Sequence, residues 1–220
     1  MIGALRNIKA FALALAILVG LGVQFSEAKA QTGDVAIFAG GCFWCVEADF
    51  ERVRGVGDAV SGFTGGTTPN PVYGDSGDHI EAVRIPFDPS RVSYAQLVNL
   101  FLRSIDPFDA GGQFCDRGRE YSSAIFALSE KQRRAAEAEK AKAERALGRE
   151  IVTPIRSAGK FYPVGEYHQD YYKSDERLNR LNTVGLNPTK REAYKVYRKR
   201  CGRDRRVREI WGDAAPFATH

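Results

Sequence analysis

The stretch Val35-Ala36-Ile37-Phe38-Ala39-Gly40-Gly41-Cys42-Phe43-Trp44-Cys45-Val46-Glu47-Ala48-Asp49-Phe50 joins two hydrophobic patterns at a pair of glycines. Val35 to Ala39 is a short apolar run of strand length, and Gly40-Gly41 breaks it. Beyond the break Phe43, Val46, Phe50 and Val53 recur at helical spacing on one face. The pattern predicts a buried strand, a sharp turn and a helix, with Cys42 at the helix N-terminus. Unpaired N–H groups and the positive end of the helix dipole favour a thiolate there, so the position predicts an easily ionised thiol. A free cysteine is also commonly a small buried hydrophobe. Phe43 and Trp44, directly after the thiol, add an apolar slot beside it.

Upstream, Arg6 and Lys9 precede an apolar run from Ala10 to Val23, and Ala28-Lys29-Ala30 follows. A basic start, an apolar stretch and an Ala-x-Ala site are the parts of a secretory signal peptide. The run is short of the roughly 20 residues that a spanning helix takes. Residues 1–30 are therefore expected to be a cleaved signal and 31–220 one domain. The protein is expected to be exported, to the periplasm, without stable membrane insertion; the alternative is a membrane-anchored protein facing outward.

With 44% hydrophobic and 27% charged residues, the composition is that of an ordinary globular domain. The net charge of +5 gathers late, in Lys190-Arg191, Lys195, Arg198-Lys199-Arg200 and Arg203 to Arg208. Such a cluster suits nucleic acid or an anionic membrane. Export argues against nucleic acid, and the expectation is a solvated helical face with acidic partners interspersed. The cysteines, at 42, 45, 115 and 201, are an even set that permits disulfides but is too sparse for a disulfide scaffold. With a single Cys-x-x-Cys and no histidine spaced to complete it, no metal site is expected.

Downstream, Ile80 to Phe87 alternates, with Glu81, Val83, Ile85 and Phe87 on one side. Ser93 and Gln96 read as a capping box for a helix to about Ile105. A loop rich in Gly and Asp covers 106–120, and Tyr121 to Leu128 reads as a strand. Ser129 and Gln132 cap a third helix that ends at Gly148. Ile151 to Ile155 reads as a short strand that Pro154 confines to an edge. Glu166 to Arg180, with Tyr167, Tyr171 and Leu178, reads as a last helix, and no pattern is clear beyond about Asn187. The mixture predicts an α+β sandwich, with helices packed on a sheet. Glu81 has two readings. On the buried face its carboxyl stays protonated and serves as a general acid; at a solvated strand end it only pairs with a basic residue.

Ala39-Gly40-Gly41-Cys42-Phe43-Trp44-Cys45-Val46-Glu47 resembles the Gly-Cys-Phe-Trp signature of the methionine sulfoxide reductase A family. The similarity continues in order through Gly62-Phe63-Thr64-Gly65-Gly66, Pro69-Asn70-Pro71-Val72-Tyr73 and His79-Ile80-Glu81-Ala82-Val83. It then runs through Asp106-Pro107, Asp116 to Ile125, and Tyr167-His168-Gln169-Asp170-Tyr171, so that it covers about residues 35–175. The resemblance implies a two-layer sandwich of a mixed sheet with packed helices and a ferredoxin-like core. It implies reduction of the S epimer of methionine sulfoxide, in proteins or free, by a monomer. Cys42 matches the nucleophile, and Phe43 and Trp44 match the residues that hold the substrate methyl group. Glu81 matches the acid that protonates the sulfoxide oxygen, Tyr73 and Tyr121 the phenols that hydrogen-bond it, and Asp116 the carboxylate that orients the site. No bound cofactor is implied; an external thioredoxin-like dithiol supplies the electrons.

The chain also departs from that pattern. The stretch between Tyr73 and Glu81 is shorter than in many relatives, and the Gly-rich C-terminal tail that often carries their recycling cysteine is absent. Three thiols could resolve Cys42: Cys45, one helical turn away, Cys201, in the C-terminal region, and Cys115. Cys115 precedes Asp116, and in an extended loop adjacent side chains diverge, so it is expected to point away from the site. The expectation is a structural Cys115–Cys201 disulfide, with Cys45 as the resolving thiol. A thiol–disulfide oxidoreductase and a basic surface-binding protein are the competing readings; both leave Glu81, Tyr73 and Tyr121 without a task.

Overall fold

The computed structural model describes residues 34–179, 181–182 and 185–218; the expected signal peptide lies outside them. Strand β1 (Asp34–Gly40) is central, with antiparallel neighbours β3 (Ile80–Phe87) and β6 (Ser123–Ala127). Strand β2 (Val60–Thr64) pairs with β3, and the edges are β7 (Ile155–Ser157) and β8 (Tyr162–Pro163). Because β7 runs parallel to β6 while the other pairs are antiparallel, the sheet is mixed. Its order is β7-β6-β1-β3-β2-β8. Helix α1 (Phe43–Phe50) follows β1 and α2 (Tyr94–Leu102) follows β3. The succession β1-α1-β2-β3-α2-β6 is the β-α-β-β-α-β of a ferredoxin-like unit.

The alternation in β3 carries the layering. Val83, Ile85 and Phe87 join Phe38, Phe43, Phe50 and Phe101 in the main core, where α1, α2 and α3 (Glu130–Leu147) pack on the sheet. Ile80 and Ala82 point the other way and pack with Ile37, Ala39, Ala124 and Phe126 under Ala158 and Phe161. Local signals fix the helix ends. Ser93 and Gln96 form the expected capping box, worth about 1 kcal/mol. Ser129 Oγ accepts from Gln132 N, and Gly148 closes α3 in the left-handed conformation.

Three expectations need correction. The strand after the long loop begins at Ser123, because Tyr121 ends a 3₁₀ turn (Arg119–Tyr121); the loop itself holds a small hairpin, β4 (Gly112–Gln113) and β5 (Asp116–Arg117). The strand read at Ile151 to Ile155 takes its edge position but starts only at Ile155. Glu166 to Arg180 is not a helix: a 3₁₀ turn (Glu166–His168) leads into Asp170 at φ 54°, a left-handed conformation that a helix does not contain. Past the short hairpin of β9 (Leu181–Asn182) and β10 (Gly185–Leu186) lie two helices whose limits the sequence reading leaves open, α4 (Lys190–Cys201) and α5 (Arg203–Trp211).

Most of the late basic cluster is the expected solvated face, with Arg191, Lys195, Lys199, Arg200, Arg205 and Arg208 exposed, but three of its members are buried. Lys190, Tyr194 and Arg198 are the buried positions of α4, and Arg203 and Val207 those of α5. Arg203 is only 2% exposed. Arg198 Nη1 lies 2.7 Å from Asp49 Oδ1 on α1, and Arg203 Nη1 donates to the Gly40 carbonyl at 3.0 Å. The C-terminal pair is thereby keyed to the turn that bears Cys42.

Glu47, also on α1 and fully buried, accepts from Ser61 Oγ on β2 and from the Asp170 N–H, each at 3.0 Å. Burial outweighs both bonds and pushes its carboxyl up to about 7. Its folded pKa thus exceeds an unfolded value of about 4.3, so the folded protein holds the extra proton and loses stability as pH rises through that window. Glu47→Gln is expected to flatten that fall and to stabilise the protein at pH 8 by on the order of 2–3 kcal/mol. Urea unfolding midpoints of both proteins at pH 5 and pH 8 check this; parallel shifts contradict it.

Candidate active site

At the turn from β1 into α1, Gly41 has φ +77°, and a Cβ there would lie 2.5 Å from Gln113 Cβ. Only glycine satisfies both demands. The turn sets Cys42 at the N-cap of α1. The thiol opens on a small cavity of about 60 Å³, lined by Cys42, Phe43, Trp44, Tyr73, Glu81, Asp116, Tyr121 and Tyr197. All the expected catalytic and methyl-holding residues therefore meet in one place.

Glu81 is 2% exposed, which places it on the buried face rather than at a solvated end. The Phe43 N–H donates to its Oε2 at 2.8 Å. Burial nevertheless holds the carboxyl well above the usual carboxylate range, with Glu120 and Asp116 adding to the shift. The shift favours the protonated, proton-donating form of Glu81.

Cys42 departs from the expectation of an easily ionised thiol. Burial pushes it up, and Cys45 and Glu81 add to the shift, while Tyr197 opposes it. The helix behind it has only eight residues, and its first N–H, that of Phe43, is already given to Glu81. Cys45 is the more acidic partner. The hydrogen bond with Cys42 brings it down to about 7 against burial, helped by Arg203 and Arg198. Both thiols are free and buried, and they pack with Ala48, Tyr171 and Tyr194.

The phenols are donors at neutral pH. Burial raises Tyr73 to about 12, and burial also raises Tyr121 and Tyr197. Tyr197 donates to Asp116 Oδ2, and burial raises that carboxyl. The Trp44 ring stacks on Tyr171 at 3.9 Å between centroids and on His168 at 5.7 Å, while Tyr73 stacks on His168 at 4.0 Å. The apolar slot beside Cys42 is thus braced by the segment that was read as a helix.

Cys115 and Cys201 are joined as a disulfide, with 4.8 Å between their Cα atoms. It ties the β4–β5 hairpin, which carries Asp116, to the end of α4, which carries Tyr197. Of the three resolving candidates Cys115 and Cys201 are thereby bonded, and Cys45 is the free thiol in contact with Cys42. Tyr197 lay beyond the legible sequence. One local signal marks its helix: Thr189 and Glu192 form a capping box, with Gly202 left-handed at the far end.

Comparison with known proteins gives a consistent result. A family model described as peptide methionine sulfoxide reductase matches residues 34–201. The chain is 51% identical over 190 residues to peptide methionine sulfoxide reductase MsrA 2 of Rhizobium meliloti, covering 86% of this chain and 88% of that one. It is 41% identical to the protein of the same description from Caulobacter vibrioides, covering 94% and 98%. Among solved structures, it is similar to methionine sulfoxide reductase A of Corynebacterium diphtheriae, with TM-score 0.57 and 30% identity, covering 64% and 75%. Mxr1 from Saccharomyces cerevisiae in reduced form gives TM-score 0.60 at 25% identity, covering 66% and 87%.

Proposed function

The chain belongs to the peptide methionine sulfoxide reductase family, and on that premise we propose that it reduces the S epimer of methionine sulfoxide, in polypeptides or free, through a sulfenic acid on Cys42. One observation carries this reading: a single cavity sets a buried thiol beside a buried carboxyl, whose proton burial retains, and phenol donors.

The sulfoxide sulfur becomes electrophilic only as its oxygen gains a proton. Glu81 gives that proton, and Tyr73 and Tyr121 hydrogen-bond the oxygen as charge develops on it. Phe43 and Trp44 hold the methyl group. The Cys42 sulfur attacks as its proton passes to the Glu81 carboxylate, the sulfur–oxygen bond of the substrate breaks, and the oxygen passes to Cys42 as a sulfenic acid while methionine leaves. Cys45, near 7 and in contact with Cys42, then attacks the sulfenic sulfur; water departs and a Cys42–Cys45 disulfide forms. A thioredoxin-like dithiol returns two electrons and two protons to that pair.

We place this work outside the cytoplasm, in the periplasm and as a monomer; the signal-like pattern of residues 1–30 supports the location. The test is incubation with a sulfoxide peptide of each epimer and dithiothreitol, followed by mass. Loss of one oxygen from the S peptide alone is expected. Product from neither epimer overturns the activity, and product from the R peptide overturns the stereochemical assignment.

A further inference from the structure

A second cavity, of about 610 Å³, lies where α4 and α5 pack beside the end of α1. That is within the size range of ligand sites, and far larger than the thiol cavity. Rings of Tyr172 and Phe217 line it, and Arg52, Lys195, Lys199 and Arg205 converge on it. Its one carboxylate, Asp204, is taken by Arg198 at 2.7 and 3.0 Å. Arg205 shares Glu209 at 3.8 Å. Arg52, Lys195 and Lys199 are exposed and have no ion-pair partner among the described residues. Lys195 and Lys199 stand one helical turn apart, a like-charge spacing that costs an isolated helix a few tenths of a kcal/mol. Positive charge gathered in a concave, ring-lined site without internal compensation is complementary to an anion.

The position relative to the thiol cavity names the anion's source. Both cavities share α4 as a wall: Tyr197 lines the thiol cavity, while Lys195 and Lys199, two positions to either side, line the groove. Two positions correspond to about 200° of rotation, so one helix of about 10–12 Å diameter separates the two openings. The thiol cavity holds little more than a side-chain head, which leaves the rest of a polypeptide substrate on the surface. An extended chain covers about 3.4 Å per residue, so residues about four to six positions from the sulfoxide reach round α4 to the groove.

We propose that this groove is a specificity site that binds acidic segments of the oxidised polypeptide, so that the enzyme favours methionine sulfoxides with Asp or Glu about four to six residues away. The proposal rests on the sulfoxide reductase reading above. Its test compares kcat/KM for peptides that carry Glu or Lys at those distances on both sides, with N-acetylmethionine sulfoxide as a substrate without flanks. Each is run at low and high salt on the native protein and on the double variant Lys195→Glu, Lys199→Glu. At low salt the Glu peptide is expected to exceed the Lys peptide by about tenfold, through steering. High salt should erase the preference, and the variant should reverse it while reducing the short substrate at the native rate.

Equal rates on the two peptides, or a preference that survives charge reversal, overturns the site. Salt-sensitive binding to phosphatidylglycerol vesicles with equal peptide rates also overturns it and assigns the groove to a membrane surface. Failure to reduce even the short substrate instead overturns the reductase reading.

Discussion

Cys42→Ser is expected to lower sulfoxide reduction by at least about 10⁴-fold, the scale on which enzymes lose activity with their nucleophile. The oxygen of a serine at this buried N-cap does not accept the sulfoxide oxygen as a sulfur does. Cys45→Ser should behave differently. The first turnover needs only Cys42 and its proton donors, so one methionine per enzyme should form, with a sulfenic acid left on Cys42. Turnover driven by a protein dithiol should then stop, while a small thiol that enters the cavity restores part of it. A rapid single-turnover measurement with a sulfenic acid trap separates the two variants. Peptide mapping after one turnover of the native protein should show a Cys42–Cys45 bridge; a Cys42–Cys201 bridge would instead show that the Cys115–Cys201 bond had exchanged.

Glu81→Gln is the second large effect. The amide keeps an oxygen for the Phe43 N–H and nearly the same volume, but it has no acidic proton to give. The rate should fall by about 10²–10⁴-fold, in kcat more than in KM. The pH dependence follows from the sign of the shift. Burial raises the folded pKa of Glu81, so the acid form persists above the usual carboxylate range and is lost as pH rises through that raised value. The native enzyme should lose activity on that alkaline limb, and the variant should lack the limb. Because a buried carboxyl with a raised pKa weakens the fold above its unfolded value, the variant should melt no lower at neutral pH. A slow variant with a lowered Tm would point to collapse of the cavity instead.

Much of this arrangement is legible in the sequence because its signals are local. The glycine break before Cys42, the Ser93–Gln96 box and the Ser129–Gly148 limits each fall within a few residues. The alternation from Glu81 to Phe87 states which face is buried. Other parts resist that kind of reading for physical reasons. The inward positions of α4 are Lys190, Tyr194 and Arg198, a helical stripe in which two of three members are cations. Hydrophobic periodicity does not register a stripe whose burial depends on carboxylates from α1 and a loop, so Tyr197 went unplaced. Tyr167 and Tyr171 misled in the opposite sense. Their spacing imitates a helix face, whereas Tyr171 stacks on Trp44 from a chain of turns. Helix position predicts an acidic Cys42 thiol, whereas burial and a competing acceptor for the Phe43 N–H act against it, and neither is legible in local sequence.

The link from Arg203 to Gly40 spans 163 positions of sequence. A chain is made from its N-terminus, and Gly40 and Asp49 therefore leave the ribosome well before their guanidinium partners. Until then the carboxylate of Asp49 lacks its counter-charge and cannot settle in a dry interior without cost. The reactive turn thus gains these contacts only after residue 203 has been made, and a shorter nascent fragment that holds the whole thiol motif lacks them.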